Sequence, residues 1–214
     1  MTHKLLYDAD LLDYLNSQDL PGFYQIDQFK FLKEIEDNFN IIKDEWSSIK
    51  SNETLYQPWI QKWLLSDPSC WELIVLKTRQ SHRYDANDVT GNTMELQDHI
   101  LPKTLDLLSR VLGLRLCDVA ISKLQAGTRI LPHRGIFSNT LRAHMGLQIP
   151  NGDCKIKVDD KSQTWIEGKI LILDDRLIHE VWNNTDEDRI VLIFDFIPDP
   201  IPGFFPYQET EKIK

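Results

Sequence analysis

The stretch that decides the fold runs from Leu131 to Phe196 and reads LPHRGIFSNTLRAHMGLQIPNGDCKIKVDDKSQTWIEGKILILDDRLIHEVWNNTDEDRIVLIFDF. Short apolar, β-branched runs alternate with polar breaks at Asn151-Gly152, Asp159-Asp160 and Asn183-Asn184. Residues of the first kind suit strands, and breaks of the second kind suit turns. Extended upstream to Leu116, the pattern predicts strands at 116–125, 127–132, 141–149, 154–158, 163–166, 169–174, 178–182 and 189–196. Eight short strands at regular spacing predict a mainly β fold, a sandwich or barrel of jelly-roll type.

Two histidines sit in the polar breaks. His133 follows TRIL-Pro and precedes RGIFSN; His179 follows KILILDDRLI and precedes EVWNN. Neutral imidazole is the commonest protein ligand for iron, zinc, copper and nickel. Two ligands this far apart in sequence need a fold that brings strand ends together, which a barrel of antiparallel strands does. The company of the pair strengthens the reading. Arg142 and His144 lie two apart on an alternating segment, so one face of a strand carries both. An arginine and a histidine pointing inward, in a run with Leu141, Met145 and Leu147, call for an anion, because buried cations without a partner are costly. Arg189 heads the run RIVLIFDF.

The flank is more helical. Apolar residues at Phe29, Leu32, Ile35, Phe39, Ile42, Trp46 and Ile49 step by three and four. That period predicts an amphipathic helix packed outside a sheet, with a break near Asn38–Asn40. Residues 101–113 predict a helix with Pro102 in its first turn and Gly113 as its cap. Trp71–Lys77 predicts a strand. Residues 5–16 suit a short helix or a strand. The loop-rich segment 51–69 carries Trp59 and Trp63, read as packing, with the lining of a substrate entrance as the alternative. Residues 78–92 predict a polar surface loop bearing His82 and Arg83, and the proline-rich tail after Pro198 predicts an extended end.

Composition bounds the function. The chain of 214 residues is 42% hydrophobic, which suits one globular domain over residues 1–214, with a flank to about 115 and a barrel core at 116–198. Its net charge of −9, from 33 acids and 24 bases, lacks a Lys/Arg stripe and makes it a poor binder of nucleic acid. Three cysteines, with no C-x-x-C, fit buried thiols in a reducing compartment. The N-terminus carries acids within its apolar run, unlike a secretory signal, and no run approaches the ~20 apolar residues of a membrane span. A cytoplasmic location is the expectation.

Taken together, His133–Gly135, RAHMGL at Arg142–Leu147, WIEGK at Trp165–Lys169, Asp174-Asp175, HEVWN at His179–Asn183 and Arg189 resemble the aspartyl/asparaginyl β-hydroxylase family over about residues 117–198. The resemblance implies a double-stranded β-helix, a cupin-like jelly-roll barrel with flanking N-terminal helices. It implies an iron(II)- and 2-oxoglutarate-dependent dioxygenase, with O2 as the oxidant. His133 and His179 would then hold iron. Arg189 would anchor the C5 carboxylate of 2-oxoglutarate, Ser122 would hydrogen-bond it, and Arg142 and His144 would contact the cosubstrate. The substrate would be a small molecule, peptide or carrier-bound amino acid, hydroxylated at an unactivated carbon such as the β-carbon of an aspartyl- or asparaginyl-like residue.

Gly135 stands where most such oxygenases carry a carboxylate ligand, two residues after the first histidine. Some members of the resembled family also have glycine there; water or an acid such as Asp174 or Asp175 would complete the site. A turn requiring positive φ is the other reading of this glycine. The open position admits a halogenase as an alternative, and a non-catalytic barrel binding a small acid or metal is a third reading. The barrel alone needs neither the histidine pair nor Arg189. Trp165, Trp182, Asn139 and Asn183 read as packing and turn residues.

Overall fold

The computed structural model describes residues 20–78, 94–135 and 140–198. The expectations for 5–16, His82, Arg83, Asn139 and the tail after Pro198 lie outside the described residues. In chain order the elements are β1 (Phe23–Tyr24), α1 (Lys33–Asp37), α2 (Phe39–Ile49), β2 (Gln57–Pro58), β3 (Trp71–Lys77) and α3 (Pro102–Leu112). Then come β4 (Leu116–Leu124), β5 (Thr128–His133), β6 (Leu141–Gln148), β7 (Cys154–Val158), β8 (Lys161–Gln163), β9 (Ile170–Leu173), β10 (His179–Asn183) and β11 (Arg189–Phe196).

Among the described residues the strands form two sheets, paired antiparallel throughout. One has seven strands in the order β1-β9-β6-β11-β4-β3-β2, and the other has four in the order β5-β10-β7-β8. From β4 to β11 the chain alternates between the two sheets, apart from the β7–β8 hairpin within the small sheet, which is the winding of a double-stranded β-helix. The mainly β barrel with N-terminal helices is therefore what this sequence adopts.

Both faces of the large sheet are buried, and period-two alternation sorts them. Leu141, Ala143, Met145 and Leu147 of β6, with Ile190, Leu192, Phe194 and Phe196 of β11, pack against the helical flank. Ala120, Leu124, Val191 and Leu73 point the other way and meet Ile130, Ile156, Val158 and Val181 of the small sheet. This corrects one expectation. Arg142 and His144 do face inward, but Leu141, Met145 and Leu147 are not their neighbours; they lie on the opposite face, under the helices.

The flank forms as its spacing predicts, with one difference. Phe29, Leu32, Ile35, Ile42 and Trp46 are buried, and the helix breaks at Asn38 (φ −105°). Before Lys33, however, the chain takes a 3-10 turn over Ile26–Leu32, with Phe29 non-helical. Glu45 of α2 caps α3 in trans: its carboxylate accepts from the Lys103 and Thr104 backbone N–H groups at 2.9 and 2.7 Å. Those are donors that the first turn of a helix leaves unpaired.

The strand expected at 163–166 lies instead at Lys161–Gln163. Residues 164–169 are where the chain crosses from the small sheet to the large one, through a turn at Gly168 (φ 74°). Trp165 therefore rides on a crossover, buried between the sheets.

Candidate active site

His133 ends β5 and His179 begins β10. They are Cα partners in the ladder, and their ring centroids are 4.2 Å apart. Each ring is held the same way. His133 Nδ1 lies 2.7 Å from the Leu131 carbonyl, and His179 Nδ1 lies 3.0 Å from the Leu177 carbonyl. A carbonyl only accepts, so both Nδ1 atoms carry the proton and both Nε2 lone pairs remain for a metal. Burial holds His133 below the usual imidazole range and His179 well below it. Neutral imidazole is the ligating form. No third His, Cys, Asp or Glu joins them in a metal-holding group among the described residues.

The inner end of the barrel is cationic. Arg189 is 1% exposed. Its Nη1 donates to Ser122 Oγ at 3.4 Å, its Nε has no partner among the described residues, and its guanidinium stacks 4.9 Å over the Trp165 ring. No acid among the described residues pairs with it, and burial pushes its pKa down to about 10. His144 accepts a hydrogen bond at Nδ1 from Trp165 Nε1 at 3.1 Å, and its buried Nε2 finds no partner among the described residues. Trp71 Nε1 donates to Ser122 Oγ at 2.9 Å. One pocket is lined by both histidines, Ser122, Arg142, His144 and Arg189. All six residues named from the sequence thus meet in one place.

Arg142 sits nearer the mouth and is already occupied. Its Nε and Nη2 clasp Asp195 at 2.8 and 2.9 Å, across the ladder from it, and its Nη1 reaches Asp175 at 3.1 Å. The mouth beyond has a wall of Trp59, Ile60, Leu64, Leu73 and Ile193, with Arg134 on the rim. Trp59 packs on Trp71 at 4.6 Å. Trp59 thus packs and also lines the pocket, the alternative reading of this segment, while Trp63 is 56% exposed and packs little.

Gly135 is explained by Asp175. A Cβ on Gly135 would lie 2.2 Å from the Asp175 Oδ2. Gly135 is not among the residues at positive φ, so the turn reading does not account for it. Nor is the space beside it free, as the open-ligand reading supposed. Gly135→Asp is expected to lower the melting temperature of the metal-free protein, by an overpacking cost on the order of 1–3 kcal/mol. Adding Asp175→Ala should recover much of that loss. Thermal melts of the two variants check this, and a single variant that melts like wild type contradicts it.

The family model described as aspartyl/asparaginyl beta-hydroxylase matches residues 36–198. The chain belongs to the aspartyl/asparaginyl β-hydroxylase family. It is 32% identical over 170 residues to the human aspartyl/asparaginyl beta-hydroxylase, covering 78% of this chain and 21% of that protein. The chain thus spans about a fifth of that relative. It is 39% identical over 98 residues to the ornithine lipid ester-linked acyl 2-hydroxylase of Rhizobium tropici, covering 45% of this chain and 34% of that one. Among solved structures, a predicted oxalate decarboxylase from Thermotoga maritima aligns with a TM-score of 0.41 at 12% identity, covering 69% of this chain and 96% of that one.

In this β-hydroxylase family member, sequence reasoning left Trp71, Trp165 and Asp195 out of the site. Asp195 had a readable signal: it shares parity with Arg189 on β11, so it faces the barrel. Trp71 has the same kind of signal on β3. Trp165 has none, because a crossover residue has no periodicity to read.

Proposed function

We propose that this chain is an iron(II)- and 2-oxoglutarate-dependent dioxygenase. It hydroxylates an unactivated carbon, the β-carbon of an aspartyl- or asparaginyl-like residue or of a small amino-acid-derived substrate. The observation that carries the reading is Arg189, a buried guanidinium that pairs with no acid among the described residues. Leaving a charge unpaired at such depth costs several kcal/mol, so the site is incomplete without an anion. A planar fork of donors suits a carboxylate.

The donor set fits the cofactor pair. His133 and His179 would hold iron through Nε2, each ring oriented by the carbonyl that its Nδ1–H reaches. Arg189 and Ser122 would bind the far carboxylate of 2-oxoglutarate, and His144 would contact the cosubstrate. Arg142, already clasped by Asp195 and Asp175, contributes to the cosubstrate pocket chiefly by fixing those acids at the mouth. When bound, iron with O2 and 2-oxoglutarate supplies the oxidising power for C–H hydroxylation, with succinate and carbon dioxide as coproducts. The tryptophan-lined wall and Arg134 would seat the substrate, a small molecule, a peptide or a carrier-bound amino acid.

The names of the relatives, one acting at aspartyl/asparaginyl residues and one at an acyl chain, support hydroxylation while spanning two substrate types. The halogenase reading is weakened by Asp175: a halide beside Gly135 would meet a carboxylate. Among the described residues no helix is long and apolar enough to cross a membrane, and Cys70, Cys117 and Cys154 are free and buried. The thiols support a reducing, cytoplasmic setting.

The test is conversion of 2-oxoglutarate to succinate by the purified protein. It should require both iron(II) and O2 and should increase with a true substrate. Succinate formation that persists without iron overturns the proposal.

A further inference from the structure

Ser122 and His144 are ambiguous groups. A hydroxyl both donates and accepts, and a neutral imidazole does one of each at its two nitrogens. Neither by itself specifies an anion. In this barrel two indoles remove the ambiguity. An indole N–H only donates. Trp71 donates to Ser122 Oγ at 2.9 Å, and Arg189 Nη1 addresses the same oxygen at 3.4 Å. With both acceptor directions of Ser122 engaged, its own proton is left to point elsewhere. Trp165 donates to His144 Nδ1 at 3.1 Å, which puts the imidazole proton on Nε2. That Nε2 and the Nε of Arg189 are buried and find no acceptor among the described residues. Ser122, His144 and Arg189 line one pocket, and each brings a donor to it.

We propose that Trp71 and Trp165 are positioning residues that make Ser122 and His144 obligate donors, so that the pocket accepts a carboxylate and rejects the corresponding carboxamide. The inference rests on the 2-oxoglutarate reading and gives that site its selectivity. A carboxylate offers only acceptors. A carboxamide turns an NH2 group toward donors that cannot receive it. Trp165 has a second role, since its ring lies 4.9 Å under the Arg189 guanidinium and fixes the plane of the fork. The two rings lie nearly parallel, 18° apart with centroids at 6.0 Å, the orientation in which the indole N–H meets the in-plane lone pair of Nδ1 edge to edge.

Two measurements test this. Long-range proton–nitrogen NMR on the metal-free wild-type protein should show His144 as the Nε2–H tautomer. Trp165→Phe, which keeps a ring but loses the N–H, should give a mixture of tautomers. Calorimetry then compares 2-oxoglutarate with 2-oxoglutaramate, its C5 amide, on the anaerobic iron-loaded protein. Wild type should prefer the acid by roughly 10–100-fold, the size expected from donors left unpaired. Trp71→Phe and Trp165→Phe should each lose about 10-fold or more of that preference while keeping their iron content. An Nδ1–H tautomer in wild type overturns the proposal without needing any variant to fold. Unchanged discrimination in both variants overturns it too, and leaves the cosubstrate reading standing. A wild-type protein that binds neither compound overturns both.

Discussion

Arg189→Met is expected to raise the melting temperature of the metal-free protein and to abolish its response to 2-oxoglutarate. The two effects have one cause. Among the described residues, the buried Arg189 guanidinium meets the Ser122 hydroxyl and the face of Trp165 and pairs with no acid. Replacing buried charged groups by apolar side chains of similar volume stabilises by about 1–4 kcal/mol. At roughly 2–4 °C per kcal/mol for a chain of this size, the rise is several degrees. Wild type should recover the deficit on binding, because a ligand at 100 times its Kd contributes about 2.7 kcal/mol. Arg189→Met should gain nothing from the ligand. Arg189→Lys should respond in part, since lysine carries the charge without the fork. Melting curves with and without 2-oxoglutarate check all three proteins. A variant that melts lower and still responds would place the anchor elsewhere.

His133→Ala and His179→Ala should each abolish iron retention while leaving the barrel folded. Each removes one of two protein ligands, so affinity should fall by more than the ~100-fold ceiling of changes to outer-sphere partners. The fold should survive because water can occupy an emptied polar site. The Nδ1 contacts to Leu131 and Leu177 are lost as well, but those carbonyls lie near strand ends at the barrel mouth. Iron per chain after desalting, read beside circular dichroism, separates metal loss from unfolding. Full iron content in either variant contradicts the paired-histidine site.

The barrel was legible because its signal is local. Alternation through β6 set the shared face of Arg142 and His144, the family resemblance singled out Arg189, and the Asn and Asp breaks marked where strands end. The register that puts His133 opposite His179 was not legible, since pairing between β5 and β10 depends on the whole sheet. Gly135 was visible as a missing carboxylate, but its cause was hidden. The atoms that exclude a side chain there belong to Asp175, which only the fold brings alongside. Arg142 was read as a contact for the cosubstrate. Its bidentate clasp by Asp195 depends on the β6–β11 ladder, where the two are Cα partners. Trp165 was taken for packing because aromatic residues near strands are usually that. Its indole N–H reaches His144 only because the crossover at 164–169 turns it inward.

The most direct test of the central claim is an anaerobic titration of the metal-free protein, first with iron(II) and then with 2-oxoglutarate. The account predicts one iron per chain, then one 2-oxoglutarate per chain, with a weak visible charge-transfer absorption that appears only when both are present. Arg189→Met should take up iron and never develop the band. Wild-type protein that binds iron and shows neither the band nor 2-oxoglutarate uptake would contradict the account.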